Sequence, residues 1–384
     1  MLHQNSVFHS LLKHVPWHVF DRLVEQHRAD TRVRQLTTKS QFVALLYGQL
    51  SGAASLREIE AGLVSHKVRL YHVGAREVSR STLADANAKR SWEVFAGLFA
   101  HMVGQAQRGL RRGTREVTRL IDSTGIRLSG LSEAWASFSP GVCGAKLHVI
   151  YDPDADCPLY FAVSAAKVND ITPAKIMPVE PGATYVFDLG YYDYGWWAAL
   201  DTAGCRLVTR LKTNTPLSVV AENSVRGGSN ILNDRIGHLP MRMARSRNNP
   251  FQDPVREIIV RTDTGKLLRI VTNDLDAPAE EIADLYKRRW QVELFFRWIK
   301  QTLKIKHFLG TSENAVRIQI AVALIAFLIL RLAQAAPKII HGSLVFARLV
   351  RANLMHRRPI THLLEPEHAP PLNPNQLKLS FNVG

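Results

Sequence analysis

Apolar residues recur at helical spacing through the first part of the chain. Leu11, Leu12, Val15, Phe20, Leu23 and Val24 form one series, and Phe42, Leu45, Leu46 and Leu50 form another. Ser55 stands where it can cap a helix running through Leu56, Ile59 and Leu63. A basic, turn-rich stretch, SHKVRLYHVGAREVSRS, leads to a further helix predicted from about Thr82, TLADANAKRSWEVFAGLFAHMV. Residues 1–112 therefore read as an all-helical N-terminal domain. A short helix, a bend and a helix opening with Ser81, Thr82, Asn87, Lys89 and Arg90 have the form of a helix-turn-helix DNA reader, although polar residues open many helices. The run QRGLRRGTRE, residues 107–116, reads as a linker.

From Val117 the period changes to that of strands. VTRLIDSTGIRL, AKLHVIYD and PLYFAVSAAKV are β-rich runs separated by Gly and Pro, which predicts an antiparallel meander with DPDADCP as a hairpin turn. TYVFDLG is a compact apolar strand ending in a carboxylate. A helix, YYDYGWWAALDTAG, and a strand, CRLVTRLK, should follow. Residues 213–276 predict an irregular β-rich insertion, chiefly VREIIVRTD and LLRIVTND, before one long helix over residues 277–303. The apolar run Ile318–Leu332 contains Gln319 and Arg331 and falls short of the roughly 20 residues a membrane span needs, so it reads as a buried core helix. Residues 335–384 read as a basic helix, ARLVRANLMHRR, and an extended tail. That helix reads as a solvated face, with DNA or dimer contact left open.

Composition narrows the partners. The 384 residues have room for two or three domains, and 46% of them are apolar, as in a folded protein. Lys and Arg number 49 against 33 Asp and Glu, a formal charge of +16, which points to a polyanion, most commonly nucleic acid. Three cysteines, Cys143, Cys157 and Cys205, suggest neither a disulfide framework nor a zinc site and fit a reducing compartment. The N-terminus lacks a basic start followed by an unbroken apolar stretch, so a cytoplasmic protein without a membrane anchor is expected.

Two aspartates interrupt apolar strands: Asp122 in RLIDSTG and Asp188 in VFDLGYY. A carboxylate at such a place needs compensation, by a metal ion or by a turn or helix cap, and either aspartate alone reads more readily as the latter. The helix ADLYKRRWQVELFFRWIKQTL brings in a third acid. At about 100° per residue, Tyr286, Arg289, Glu293, Arg297 and Lys300 share one stripe about 80° wide. Leu285, Val292, Phe296, Ile299 and Leu303 form an adjacent apolar face able to pack on a sheet. Taken alone, the stripe also fits a solvated face of ion pairs. Together, three carboxylates from separate elements can hold two magnesium ions about 4 Å apart, and nearby cations can hold phosphates. His148, in KLHVIYD, falls near these acids and reads as a satisfied core or surface histidine.

Tyr286, Arg289, Glu293 and Lys300 spell Y-x2-R-x3-E-x6-K. This resembles the YREK signature of bacterial DDE transposases of the insertion-sequence-four family. IDST around Asp122 and VFDLGYY around Asp188 are similar to that family's two aspartate motifs, in the same order. The resemblance covers residues 115–334. It implies an α/β, ribonuclease-H-like catalytic domain over residues 113–334, with a β-rich insertion before the last catalytic helix. It further implies catalytic and metal-binding roles for Asp122, Asp188 and Glu293, and two Mg2+ or Mn2+ ions. Cut-and-paste movement of an element and a homodimer on double-stranded DNA also follow from it. By the same carry-over Tyr286, Arg289 and Lys300 contact DNA phosphates, and helical geometry adds Arg297. Relatives pass through a DNA hairpin and stack a flipped base on an aromatic residue of the insertion. Here residues 213–276 contain no Trp or Tyr and only Phe251, while Trp290 and Trp298 lie on the signature helix, where either could stack a base but a core role for each is the better reading. The rival reading is a transposase-derived DNA-binding protein without chemistry. A glycosidase-like carboxylate pair leaves both the charge and the cation stripe unaccounted for.

Overall fold

A computed structural model describes residues 5–110, 117–242, 248–303, 308–335 and 342–363. The linker beyond Leu110 and the C-terminal tail lie outside the described residues. Before the first strand come seven helices: α1 (Val7–Leu12), α2 (Trp17–Gln26), α3 (Thr38–Ser51), α4 (Leu56–Ser65), α5 (Lys67–Leu70), α6 (Arg80–Lys89) and α7 (Glu93–Leu110). Ser6, Thr37, Ser55 and Ser79 fix four of their starts, each accepting the backbone N–H three residues on.

The single helix predicted from Thr82 is in fact two. At Arg90 the backbone turns extended (φ −77°, ψ 142°). The Arg90 guanidinium donates to Gln41 and to the Leu36 carbonyl. Asn314 donates to the carbonyls of Asn87 and Arg90, acceptors that a helix end leaves open. Asn87 itself is buried and accepts from the Gln41 amide. Two of the five residues expected to read DNA thus hold helices together. Ser81 and Lys89 are exposed and Thr82 is half-buried.

The strands are β1 (Thr118–Leu128), β2 (Ser137–Ser139), β3 (Val142–Asp152), β4 (Cys157–Ala165), β5 (Thr184–Val186) and β6 (Arg206–Arg210). They continue with β7 (Ser218–Glu222), β8 (Ile231–His238), β9 (Val255–Arg261) and β10 (Leu267–Thr272). All ten form one mixed sheet. At one end β4, β3 and β1 are the expected antiparallel meander, then β5 pairs parallel with β1 and β6 parallel with β5. This arrangement is consistent with the ribonuclease-H-like core that the resemblance implies. Residues 213–276 are less irregular than expected: β10, β9, β8 and β7 add to β6 and lengthen the same sheet.

Short helices α8 (Glu133–Ala136) and α9 (Ile171–Ala174) connect strands, and α10 (Tyr194–Thr202) follows β5. The long helix predicted over residues 277–303 is interrupted at Arg289, giving α11 (Ala279–Arg288) and α12 (Trp290–Thr302). Around the break the backbone tightens: Arg289 N–H donates to the Tyr286 carbonyl and Val292 N–H to the Arg289 carbonyl. α13 (Glu313–Ala335) and α14 (Ser343–Asn353) follow, and a 3-10 turn at Ile360–His362 closes the described chain.

Around β1 the sheet is buried on both faces, whereas β7 is exposed along its length. Leu120, Ile126 and Leu128 of β1 face a core shared with α12, α13 and the N-terminal helices, whereas Ile121 faces Phe187, Trp196 and Trp197. α13 is 23 residues long, not limited to the apolar run, so length does not argue against a membrane span; burial does, because 83% of its most apolar window is covered within the protein. The basic helix α14 buries Phe346, Ala347 and Val350, and Arg351 donates to the carbonyls of Leu50 and Thr302. Gln49 donates to the Leu303 carbonyl. The end of α12 is therefore tied to α3 and α14.

Candidate active site

β1 presents Asp122 on the same face as Leu120 and Thr124, toward α12. Leu120 pairs in parallel with Val186, so two residues further on Asp122 comes alongside Asp188, just past the end of β5. Asp188 is extended there (φ −98°, ψ −172°) and accepts the Gly190 N–H at 2.8 Å, which turns the chain into a short 3-10 helix. α12 brings Glu293 over the sheet. Buried Val292, Phe296 and Ile299 seat this helix, as its apolar stripe predicts.

Arg289 joins the acids. Its guanidinium lies 2.6 Å from Glu293 and 3.5 Å from Asp122, and its ring neighbour Tyr286 lies 5.8 Å from it, centroid to guanidinium carbon. The Asp122 carboxyl is raised to about 7, chiefly by burial. Within that balance the Ser123 N–H, 2.8 Å away, and Arg289 pull it down, while Asp188 and Glu293 add to the rise. Burial opposes the charge on Arg289, yet Tyr286, Glu293 and Asp122 together raise its pKa. The three predicted carboxylates thus act on one another electrostatically, and a single arginine meets two of them.

The other predicted residues divide. Lys300 donates to the Thr124 hydroxyl at 2.5 Å, on the same strand as Asp122. Tyr286 is buried, and burial raises its hydroxyl above the ordinary range, with Arg289 and Arg210 lowering it and Asp188 raising it. Arg297 is exposed. Trp298 packs edge-on against Phe327 at 5.0 Å, as a core residue should. Trp290 is 51% exposed, contrary to the core role expected for it.

Two further residues come to the site unannounced by the sequence. Asp170, before α9, accepts from the Ser123 hydroxyl at 2.9 Å and from Lys146 at 3.0 Å. A Cβ on Gly190 would meet Asp188 Oδ1 at 3.0 Å and Asp170 Oδ2 at 3.1 Å, so these two acids flank the glycine. Arg210 on β6 adds a cation beside Tyr286. His148, fully buried, bonds Ser164 at 2.8 Å, and burial lowers its pKa to about 4, so it is neutral there.

The donors suit a hard cation: carboxylate oxygens from three elements, with Asp122 desolvated and in need of positive charge. Among the described residues no three acids, histidines or cysteines are grouped closely enough to hold an ion as they stand. Arg289 now provides the compensating charge between Asp122 and Glu293.

This chemistry has a stability consequence. The Asp122 carboxyl, at about 7 in the fold against an ordinary 3.8, stabilises the protein below the ordinary carboxylate range, and that contribution is lost as pH rises through 7. Asp122→Asn carries no charge. In chelator-treated protein it is expected to raise the melting temperature at about pH 8 by roughly 2 °C or more, and the gain should shrink progressively as pH is lowered toward about 4. A variant melting lower than wild type at both ends of that range would mean that Asp122 is held chiefly by its partners.

A large mixed sheet with acids at its centre and cations around them is the form of the DDE transposase class. Within that class, the chain belongs to the family described as the transposase DDE domain, whose model matches residues 113–329. A domain of unknown function matches residues 3–76. A Sinorhizobium fredii protein named for a transposase, y4zB, is 42% identical over 297 residues, covering 76% of this chain and 81% of that protein. A Geobacillus stearothermophilus protein named for the transposase of insertion sequence element IS5377 is 30% identical over 287 residues, covering 73% of this chain and 74% of that protein. A solved piggyBac transposase synaptic complex with hairpin DNA aligns over 96% of this chain and 81% of that one, at 11% identity and a TM-score of 0.44, too low to transfer any detail. The chain is a transposase of the insertion-sequence type, consistent with the insertion-sequence-four family.

Proposed function

We propose that this transposase cleaves DNA at the ends of an insertion element and joins those ends to target DNA, moving the element by cut and paste. Asp122, Asp188 and Glu293 are its catalytic carboxylates and would hold two Mg2+ or Mn2+ ions. When bound, such ions supply an activated water or hydroxyl and stabilise the leaving oxygen. The observation that carries this reading is Arg289, one guanidinium facing two acids from separate elements.

The chain's own residues then divide the work. Guanidinium groups bind phosphate, as they bind carboxylate, through paired charge-assisted hydrogen bonds. As a phosphate of the element end arrives, Arg289 turns to it and leaves Asp122 and Glu293 to hold positive charge of another kind. Tyr286, Arg297 and Lys300 fix the neighbouring phosphates. Residues 113–334 form the catalytic domain with its insertion at 213–276, residues 1–112 engage DNA outside the cleaved bond, and residues 335–384 follow as a basic helix and tail. Two copies, one per element end, complete the assembly, working at the nucleoid in the bacterial cytoplasm.

The test is a plasmid carrying the reading frame's flanking inverted repeats, incubated with the protein and Mn2+. Double-strand breaks at the repeat ends are expected. Binding without any nick would favour a DNA-binding protein that has kept the fold and lost the chemistry. Arg289→Ala should also bind the ends more weakly and lower the salt slope by about 1; an unchanged slope would remove Arg289 from the phosphate contacts.

A further inference from the structure

The helical N-terminal segment carries two adjoining clefts that the catalytic chemistry does not use. One, about 750 Å3, opens between the loop after α2 and the second half of α6. Arg28, Arg32, Arg34, Lys89 and Arg90 line it against one acid, Asp85. The other, about 740 Å3, meets it at Arg34 and Gln35 and adds Arg76.

The cations of the first cleft are not there to pair with the protein. Arg28, Arg32, Arg34 and Lys89 are exposed, and among the described residues none of them forms an ion pair. Only Arg90 is engaged, through Gln41 and the Leu36 carbonyl. The loop's own acid, Asp30, is turned inward and takes the N–H and hydroxyl of Thr38, both at 2.7 Å. That contact pins a loop in which Arg28 (φ 49°) and Arg32 (φ 61°) adopt the left-handed conformation that non-glycine residues seldom take. The sequence thus holds four like charges together, at an electrostatic cost to the isolated protein, around a cavity.

The lining also narrows the ligand. No Phe, Tyr or Trp lines the first cleft, so an unstacked base or a nucleotide ring has no aromatic platform there. Cations spaced along a loop need only a repeated phosphate. We infer that this cleft seats the phosphate backbone of duplex DNA through Arg28, Arg32, Arg34 and Lys89, as a sequence-independent grip distant in sequence from the catalytic acids. The site rests on the DNA-acting reading given above. It also shifts the DNA contact from the polar positions of α6, of which Asn87 and Arg90 are engaged in packing, chiefly to the loop between α2 and α3.

The experiment is fluorescence anisotropy of a random duplex of about 30 base pairs with the full-length protein, between about 50 and 200 mM salt. The triple variant R28A/R32A/R34A is expected to bind about a hundredfold more weakly near 150 mM salt, with a salt slope shallower by about 2.7. Lys89→Glu, a single exposed change on a helix, should weaken binding about tenfold and keeps the test open if the triple variant melts early. Unchanged affinity and slope in both variants would overturn the inference. So would a loss confined to single-stranded DNA or to ATP, with duplex binding intact. A wild-type protein that binds no DNA at about 50 mM salt would overturn the DNA-acting reading itself along with the cleft.

Discussion

Asp122→Asn, Asp188→Asn and Glu293→Gln are each expected to lower metal-dependent cleavage of element ends by about a thousandfold or more. Two ions held between three carboxylates stabilise the developing charge by several kcal/mol, and each 1.4 kcal/mol lost is about tenfold in rate. The amide variants keep the shape of each side chain and lose the charge that would hold the cation. The acids act as one unit, so a double variant should be scarcely worse than a single one. Duplex binding should survive in all three, because the phosphate contacts come from Arg and Lys. Equal rates of end cleavage for wild type and all three variants would refute the assignment. Loss of binding together with cleavage would place these residues in the fold and not in the chemistry.

The second large effect concerns how α12 is held. Phe327, 4% exposed near the middle of α13, sets its ring edge-on against Phe295 at 5.1 Å and Trp298 at 5.0 Å, both on α12. Phe327→Ala removes that packing and leaves a cavity, at a cost of about 3–5 kcal/mol. The melting temperature should fall by about 5 °C. The same helix carries Glu293, so the folded fraction should also cleave more slowly at a temperature where most of it is native. Phe327→Leu keeps part of the volume and should lose distinctly less of both. A melting temperature unchanged by the alanine variant would contradict the core assigned to α13.

Much of the site was legible in the sequence because its signals are local. Glu293 shares a stripe with Tyr286, Arg289, Arg297 and Lys300, and the helical period places all five without knowledge of the sheet. Asp122 and Asp188 stood out as charges inside apolar strands. The break at Arg289 was not legible, since no Gly or Pro marks it and it is a single residue of tighter backbone. Asp170 was hidden for a different reason: it reaches Ser123 across 47 residues, through strand pairings that no local pattern encodes. Arg210 likewise meets Tyr286 only because β6 joins the sheet beside β5. The polar residues along α6 misled in the opposite direction. Asn87 and Arg90 look like DNA-reading residues, but Gln41 and Asn314, which engage them, come from distant helices. Strands β7 to β10 were recognisable as β-rich, while their addition to the same sheet depends on pairings between far-apart segments.

The claim on which the account depends is that Asp122, Asp188 and Glu293 together bind a pair of divalent cations. It is tested most directly by anomalous diffraction from crystals grown with a duplex element end and Mn2+, using a substrate that cannot be cleaved. The account predicts two manganese peaks about 4 Å apart among these three carboxylates, with Arg289 moved onto a phosphate. Crystals with the duplex bound, no manganese between the acids and Arg289 still bridging Asp122 and Glu293 would contradict it.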